Sequence, residues 1–122
     1  VEVSLRTWVD GPRRRPEDVD PDVRRRVAEM QRRAYELAVG IEEDEEELLV
    51  ENLAGRLGEV GAPTLVVVGE EDQPDMHAIS ERLAREIPGA RLAKISATAH
   101  VPSMERPREF DELVAPFLEE NA

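Results

Sequence analysis

Apolar positions in the first third of the chain recur with a helical period. Val23, Val27, Met30, Ala34 and Leu37 follow one another at spacings of 4, 3, 4 and 3 residues. Such spacing places them along a single stripe. Asp20-Pro21 supplies a start, with a capping carboxylate followed by proline at the first helical position. Gly40 supplies the stop. Arg25–Glu29, Glu29–Arg33 and Arg32–Glu36 lie four apart on the other faces and can pair there. Upstream, Asp10-Gly11-Pro12 and Pro16 are predicted to break regular structure over residues 1–20.

The second half changes period. Thr64-Leu65-Val66-Val67-Val68 is short, apolar and β-branched, with Pro63 before it and Gly69 after it. That pattern predicts a buried strand of the kind found in parallel sheets. Over residues 75–87, Met76, Ile79, Leu83 and Ile87 predict a helix facing one way, stopped by Pro88-Gly89. Residues Ala90 to Ile95 alternate and predict a second strand. Phe110, Leu113, Val114, Phe117 and Leu118 predict a final amphipathic helix over 107–119, with Pro116 as a kink or break within it. The expected fold class is α/β: two parallel strands joined by a right-handed crossover helix and followed by a C-terminal helix.

Composition narrows the partners. The chain has 122 residues, enough for one small domain, and a 40% hydrophobic content with only 3% aromatics implies an aliphatic core. The absence of Cys removes disulfides, thiolate metal sites and a cysteine nucleophile, and it fits a cytoplasmic location. No apolar run approaches the roughly 20 residues that span a bilayer, and the first residues do not form a signal peptide, so no membrane partner is expected. A net charge of −12 argues against nucleic acid. Residues 42–47 are all acidic, which reads as a solvated loop or a frayed turn. They lack the alternating oxygen ligands and turn glycine of a calcium loop, so no metal and no cofactor are expected.

Parallel strands point their C-terminal ends at one edge of the sheet, where loops hold reactive groups. Gly69-Glu70-Glu71-Asp72 follows the first predicted strand. Ser96-Ala97-Thr98-Ala99-His100 follows the second. Topology alone therefore brings an acidic loop and a histidine together. A carboxylate beside an imidazole fixes its tautomer and stabilises the imidazolium formed when it takes a proton. The 28 residues from Asp72 to His100 accommodate one helix and one strand.

These segments resemble a family. Ala62-Pro63-Thr64-Leu65-Val66-Val67-Val68-Gly69-Glu70-Glu71-Asp72 is similar to the penultimate strand of α/β-hydrolases and its catalytic-acid turn. Ile87-Pro88-Gly89-Ala90 resembles the helix exit before the last strand. Ala99-His100-Val101-Pro102-Ser103-Met104-Glu105-Arg106-Pro107 resembles the loop of the catalytic histidine. The likeness covers residues 62–118, and acid before histidine matches the family's chain order. It implies a partial α/β-hydrolase fold, with residues 1–61 a helical cap-like segment plus acidic linker and residues 62–122 the C-terminal βαβα part of the core. It also implies that Asp72 is the triad acid and His100 the general base, with Glu70 and Glu71 as neighbours able to serve as the acid. Glu105 and Pro107 would shape the loop and start the last helix. Trp8 would line a cap pocket or join the cap core, and His77 would lie on a solvated helix face.

The chain also departs from the family. Its serines are Ser4, Ser80, Ser96 and Ser103, and none stands in the Gly-x-Ser-x-Gly turn that carries the family's nucleophile. The oxyanion-hole loop is also missing, and there is no initiator Met. The expectation is a fragment of a serine-nucleophile hydrolase acting on an ester or related bond, whose small-molecule substrate belongs to the full-length parent. Alone it should be inactive and prone to self-association. Two alternatives are a non-catalytic α/β-hydrolase-like binding protein and a truncated remnant without activity.

Overall fold

A computed structural model describes residues 1–41 and 51–122. The acidic run 42–47, read above as a solvated loop or frayed turn, lies outside the described residues.

Residues 2–10 are helical, where breakers were expected to prevent it. Helix α1 (Glu2–Ser4) widens directly into a π-type turn over Leu5–Asp10. The breakers act only at its end, where Gly11 adopts φ 79°. A side chain there would be strained and would collide with the Glu71 carbonyl. Helix α2 (Pro21–Ala38) begins as expected, with Asp22 N–H donating to the Asp20 carboxylate at 2.8 Å. It ends where Gly40 turns to φ 84°.

The α2 stripe is buried only in its first half. Leu5, Val9, Val19 and Val27 form a buried cluster with Val23 and Ala28 against it, and Val101 and Met104 pack onto the same cluster. Met30 and Leu37, predicted to share that face, are 59% and 57% exposed, because the cluster ends at Val27 and Ala28. The expected four-residue ion pairs also give way. Asp22–Arg25 and Arg33–Glu36 pair at three-residue spacing instead, and Arg24 turns inward.

Strands β1 (Leu65–Gly69) and β2 (Arg91–Ile95) pair in parallel, with Leu65 opposite Arg91 and Gly69 opposite Ile95. Between them runs α3 (Pro74–Glu86), and after them come α4 (Pro102–Glu105) and α5 (Pro107–Glu120). Arg91 reaches Glu120 and covers the Phe117 ring of α5, whereas Lys94 reaches Glu81 of α3. Strand residues three apart point to opposite faces, so the two helices flank the sheet from opposite sides. Helix α5 continues through Pro116 without a break. On α3 the inward face is rotated from the predicted one: Ser80 is buried and Ile79 is 48% exposed.

Leu65, Val66 and Val67 are only half-buried, short of the burial expected for a central parallel strand. The cause is the sheet itself. Among the described residues β1 has β2 on one side and no strand on the other. An open apolar edge recruits other chains, and Val3, Val39 and Ile41 add exposed apolar surface. We expect the purified 122-residue chain to self-associate in solution. Sedimentation velocity should give species larger than a 13.7 kDa monomer. A compact monomer with one sharp thermal transition would contradict this.

Candidate functional site

The site is built where the loops after β1 and β2 meet. The two loops are zipped together by backbone: Glu70 N–H donates to the Ile95 carbonyl at 3.0 Å, and Glu71 N–H to the Thr98 carbonyl at 2.8 Å. Gly69 permits that approach. A Cβ on Gly69 would overlap the carbonyls of Thr98 and Ala99.

This junction brings Asp72 and His100 together. Oδ2 of Asp72 lies 2.8 Å from Nδ1 of His100. The carboxylate is 5% exposed, and its Oδ1 accepts the Gln73 N–H at 2.8 Å. With an ionised carboxylate as acceptor, Nδ1 is the protonated nitrogen of the ring, leaving Nε2 as the basic one. The His100 side chain is 46% exposed, so the imidazole is reachable from outside. A histidine held by a carboxylate on one nitrogen and free on the other can accept a proton and keep the resulting charge stabilised.

The neighbouring acids do something else. Glu71 pairs with Arg13 at 3.1 Å, whose Nη2 also donates to the Glu70 carbonyl, and the Glu70 side chain is exposed. Only Asp72 of the three acids is hydrogen-bonded to His100. None of the four serine hydroxyls is hydrogen-bonded to it among the described residues.

Residues 1–20 contribute directly to this edge. Trp8 stacks on His100 with centroids 4.8 Å apart and a 48° tilt, and its carbonyl accepts the His100 backbone N–H at 3.0 Å. Gln73 spans back to the Thr7 carbonyl at 2.7 Å. Trp8 was expected to line a pocket or join a core; it instead braces the imidazole. His77 is half-buried, not fully solvated, and with Asp72, Arg13 and Lys94 it lines an open groove of about 620 Å³. A slightly larger concavity of about 630 Å³ lies between the first helix and α2 and has neither Asp72 nor His100 in its wall.

Three residues of this region carried no clear signal in the sequence. Asp10 is fully buried and takes hydrogen bonds from Arg6 and from Nε and Nη2 of Arg24 at 2.9–3.1 Å. Those bonds to Asp10, with a further one to Glu2, raise the Arg24 pKa beyond its already high value. Arg14 bonds four groups at once, as described below. The clue available was the unusual density of arginine before and within α2, with nine among the first forty residues; the partners could not be read from it. Among the described residues no group of three or more potential ligands could hold a metal ion, and no helix is long and apolar enough to cross a membrane.

No protein-family model matches the chain. Solved structures do. MenH from S. aureus aligns at 38% identity over 59% of this chain and 27% of its own, with a TM-score of 0.54. Est816, an N-acyl homoserine lactone degrading enzyme, aligns at 32% identity over 82% of this chain and 43% of its own, also with a TM-score of 0.54. The carboxylesterase CesB (YbfK) from Bacillus subtilis shares the fold at 22% identity over 64% of this chain and 28% of its own, with a TM-score of 0.50. The chain thus spans between 27% and 43% of the length of these proteins.

Proposed function

This chain carries the C-terminal part of an α/β-hydrolase fold, and from that premise we propose that it supplies the acid and base of a hydrolase active site. The observation that carries the reading is the 2.8 Å contact between buried Asp72 and half-exposed His100. The nucleophile would be a serine hydroxyl on polypeptide outside these 122 residues. His100 Nε2 takes the serine proton as the hydroxyl attacks an ester carbonyl. Asp72 orients the ring and stabilises the imidazolium, which then returns the proton to the departing alkoxide. Water, activated by the same nitrogen, releases the acyl group. The substrate class is a small molecule with an ester or related bond. Est816, described as degrading an N-acyl homoserine lactone, acts on a small molecule that contains a cyclic ester, which supports that class. The part of the chain before the sheet, residues 1–61, acts in this reading as a cap-like segment that braces the histidine through Trp8.

The reading is tested with p-nitrophenyl acetate on two proteins. One is the chain alone; the other is a chimera in which it replaces the matching 43% of Est816. The chain alone should show no turnover, since removal of triad members leaves catalysis only where an oxyanion hole survives. The chimera should be active and lose on the order of 10⁶-fold in kcat on His100→Ala. The companion change Asp72→Asn should cost roughly 10⁴-fold. Turnover by the chain alone that vanishes with His100→Ala would show that the nucleophile is not elsewhere. A chimera indifferent to His100→Ala would remove the histidine from the mechanism.

A further inference from the structure

We propose that Arg14 and Glu105 form a buried clamp that positions His100, a role that rests on the reading of His100 as the base. The clamp starts from one guanidinium. Arg14 Nε donates to the Asp10 carbonyl at 2.8 Å and Nη2 to the Val9 carbonyl at 2.6 Å, which fixes the guanidinium to the end of the first helix. Nη1 then bridges two groups on the histidine loop: the Ala97 carbonyl at 2.8 Å and Glu105 Oε1 at 2.8 Å. The other carboxylate oxygen, Oε2, accepts the Ala99 N–H at 2.7 Å. Both side chains are nearly sealed, 12% and 6% exposed.

The points that are gripped explain the purpose. Ala97 sits in the left-handed region at φ 58°, which an alanine adopts only under constraint from its surroundings. Arg14 holds that residue's carbonyl, three positions before His100. Glu105 holds the N–H of Ala99, the residue immediately before it. The backbone N–H of His100 itself is held by Trp8, on the same helical turn that Arg14 grips through Val9. The strained turn is thereby fixed on both flanks, and the imidazole is delivered to Asp72. A planar fork with donors in fixed directions can reach these four acceptors together; an ammonium cannot. Arg14 and Glu105 are positioning residues, because neither reaches the exposed side of the imidazole. A merely stabilising ion pair would have no reason to converge on the strained residue of the histidine loop.

The experiment reads His100 directly and needs no activity. In the full chain labelled with ¹⁵N-histidine, His100 should show the Nδ1-protonated tautomer and a slowly exchanging downfield proton shared with Asp72. Arg14→Met and Glu105→Gln should each abolish that resonance and shift His100 to a mixture of tautomers. Phe117→Ala, made on α5 beneath Arg91, should lower Tm and leave the His100 signals untouched. Should Arg14→Met fail to fold, Glu105→Gln decides alone, since its amide oxygen can still accept from Ala99 and only the charged half of the clamp is lost. Signals like those of the unaltered chain in the folded variants would overturn the clamp and leave the proposed function standing. An unaltered chain without the shared proton would overturn both, a result distinct from loss confined to the variants.

Discussion

Replacing Asp10 with alanine is expected to unfold the N-terminal helical segment, at a cost of about 3–5 kcal/mol. The carboxylate is fully buried and is the meeting point of two arginines: Arg24 grips it with two nitrogens and Arg6 with one. Arg24 is itself mostly covered, at 18% exposure. Truncating the acid leaves that guanidinium in a poorly solvated place with only the exposed carboxylate of Glu2 as counter-charge, and this desolvation, more than the lost attraction, sets the size of the effect. A loss of 3–5 kcal/mol is a large fraction of the total stability of a small domain. Replacing the whole cluster at once, with Asp10→Leu, Arg24→Met and Arg6→Leu together, should recover much of it, because no buried charge is then left unpaired and Glu2, which loses Arg24, is exposed to water. Far-UV circular dichroism and thermal melting at matched concentration check both variants. Equal destabilisation of the single and triple variants would mean that the cluster acts through its shape rather than through charge balance.

The sequence disclosed the parts of this molecule whose cause is local. A β-branched run between Pro63 and Gly69 becomes β1, and the alternation ending at Ile95 becomes β2, within a residue of their expected limits. The meeting of Asp72 and His100 was legible for the same reason: parallel connectivity puts both loops at one edge, whatever else surrounds them. What stayed hidden depends on approach between distant segments. The spacing of Arg25, Arg32 and Arg33 suggested pairs along α2 and left Arg24 without a partner; Arg24 turns toward Asp10, fourteen residues away, because only tertiary packing puts that acid beside it. Likewise Ser80 and not Ile79 faces the sheet, a matter of how α3 rolls against β1. The turn at Leu5–Asp10 was masked by Asp10-Gly11-Pro12, which marks where a helix ends and gives no sign that one precedes it. The stripe on α2 was read correctly as a stripe, but a pattern does not state how much of it meets a partner.

The second large effect should come from Gly69→Val. Gly69 is the last residue of β1, and the peptides of Thr98 and Ala99 lie against its Cα. The obstructing atoms are backbone, so no side chain can swing aside to make room. Even a single Cβ must drive the histidine loop away from the acid loop, and the branched valine adds two methyl groups to the displacement. Overpacking usually costs about 1–3 kcal/mol, and more where backbone has to move; about 3 kcal/mol or more is expected here. The damage should also be directed. The bonds from Glu70 N–H to Ile95 and from Glu71 N–H to Thr98 adjoin the obstruction, so both loops should part there. Asp72 and His100, whose contact depends on that seam, should then separate, and the shared proton on Nδ1 should disappear from the NMR spectrum. Gly61→Ala is the matched control. Nothing lies within 4 Å of the Cβ it would introduce, and the change should be neutral or stabilising by up to about 1 kcal/mol, because alanine restricts the unfolded chain. A Gly69→Val chain that melts like the Gly61→Ala chain and keeps the His100 resonance would show that the seam can open without disturbing the site, and that the close approach at Gly69 is not what holds the acid and the histidine together.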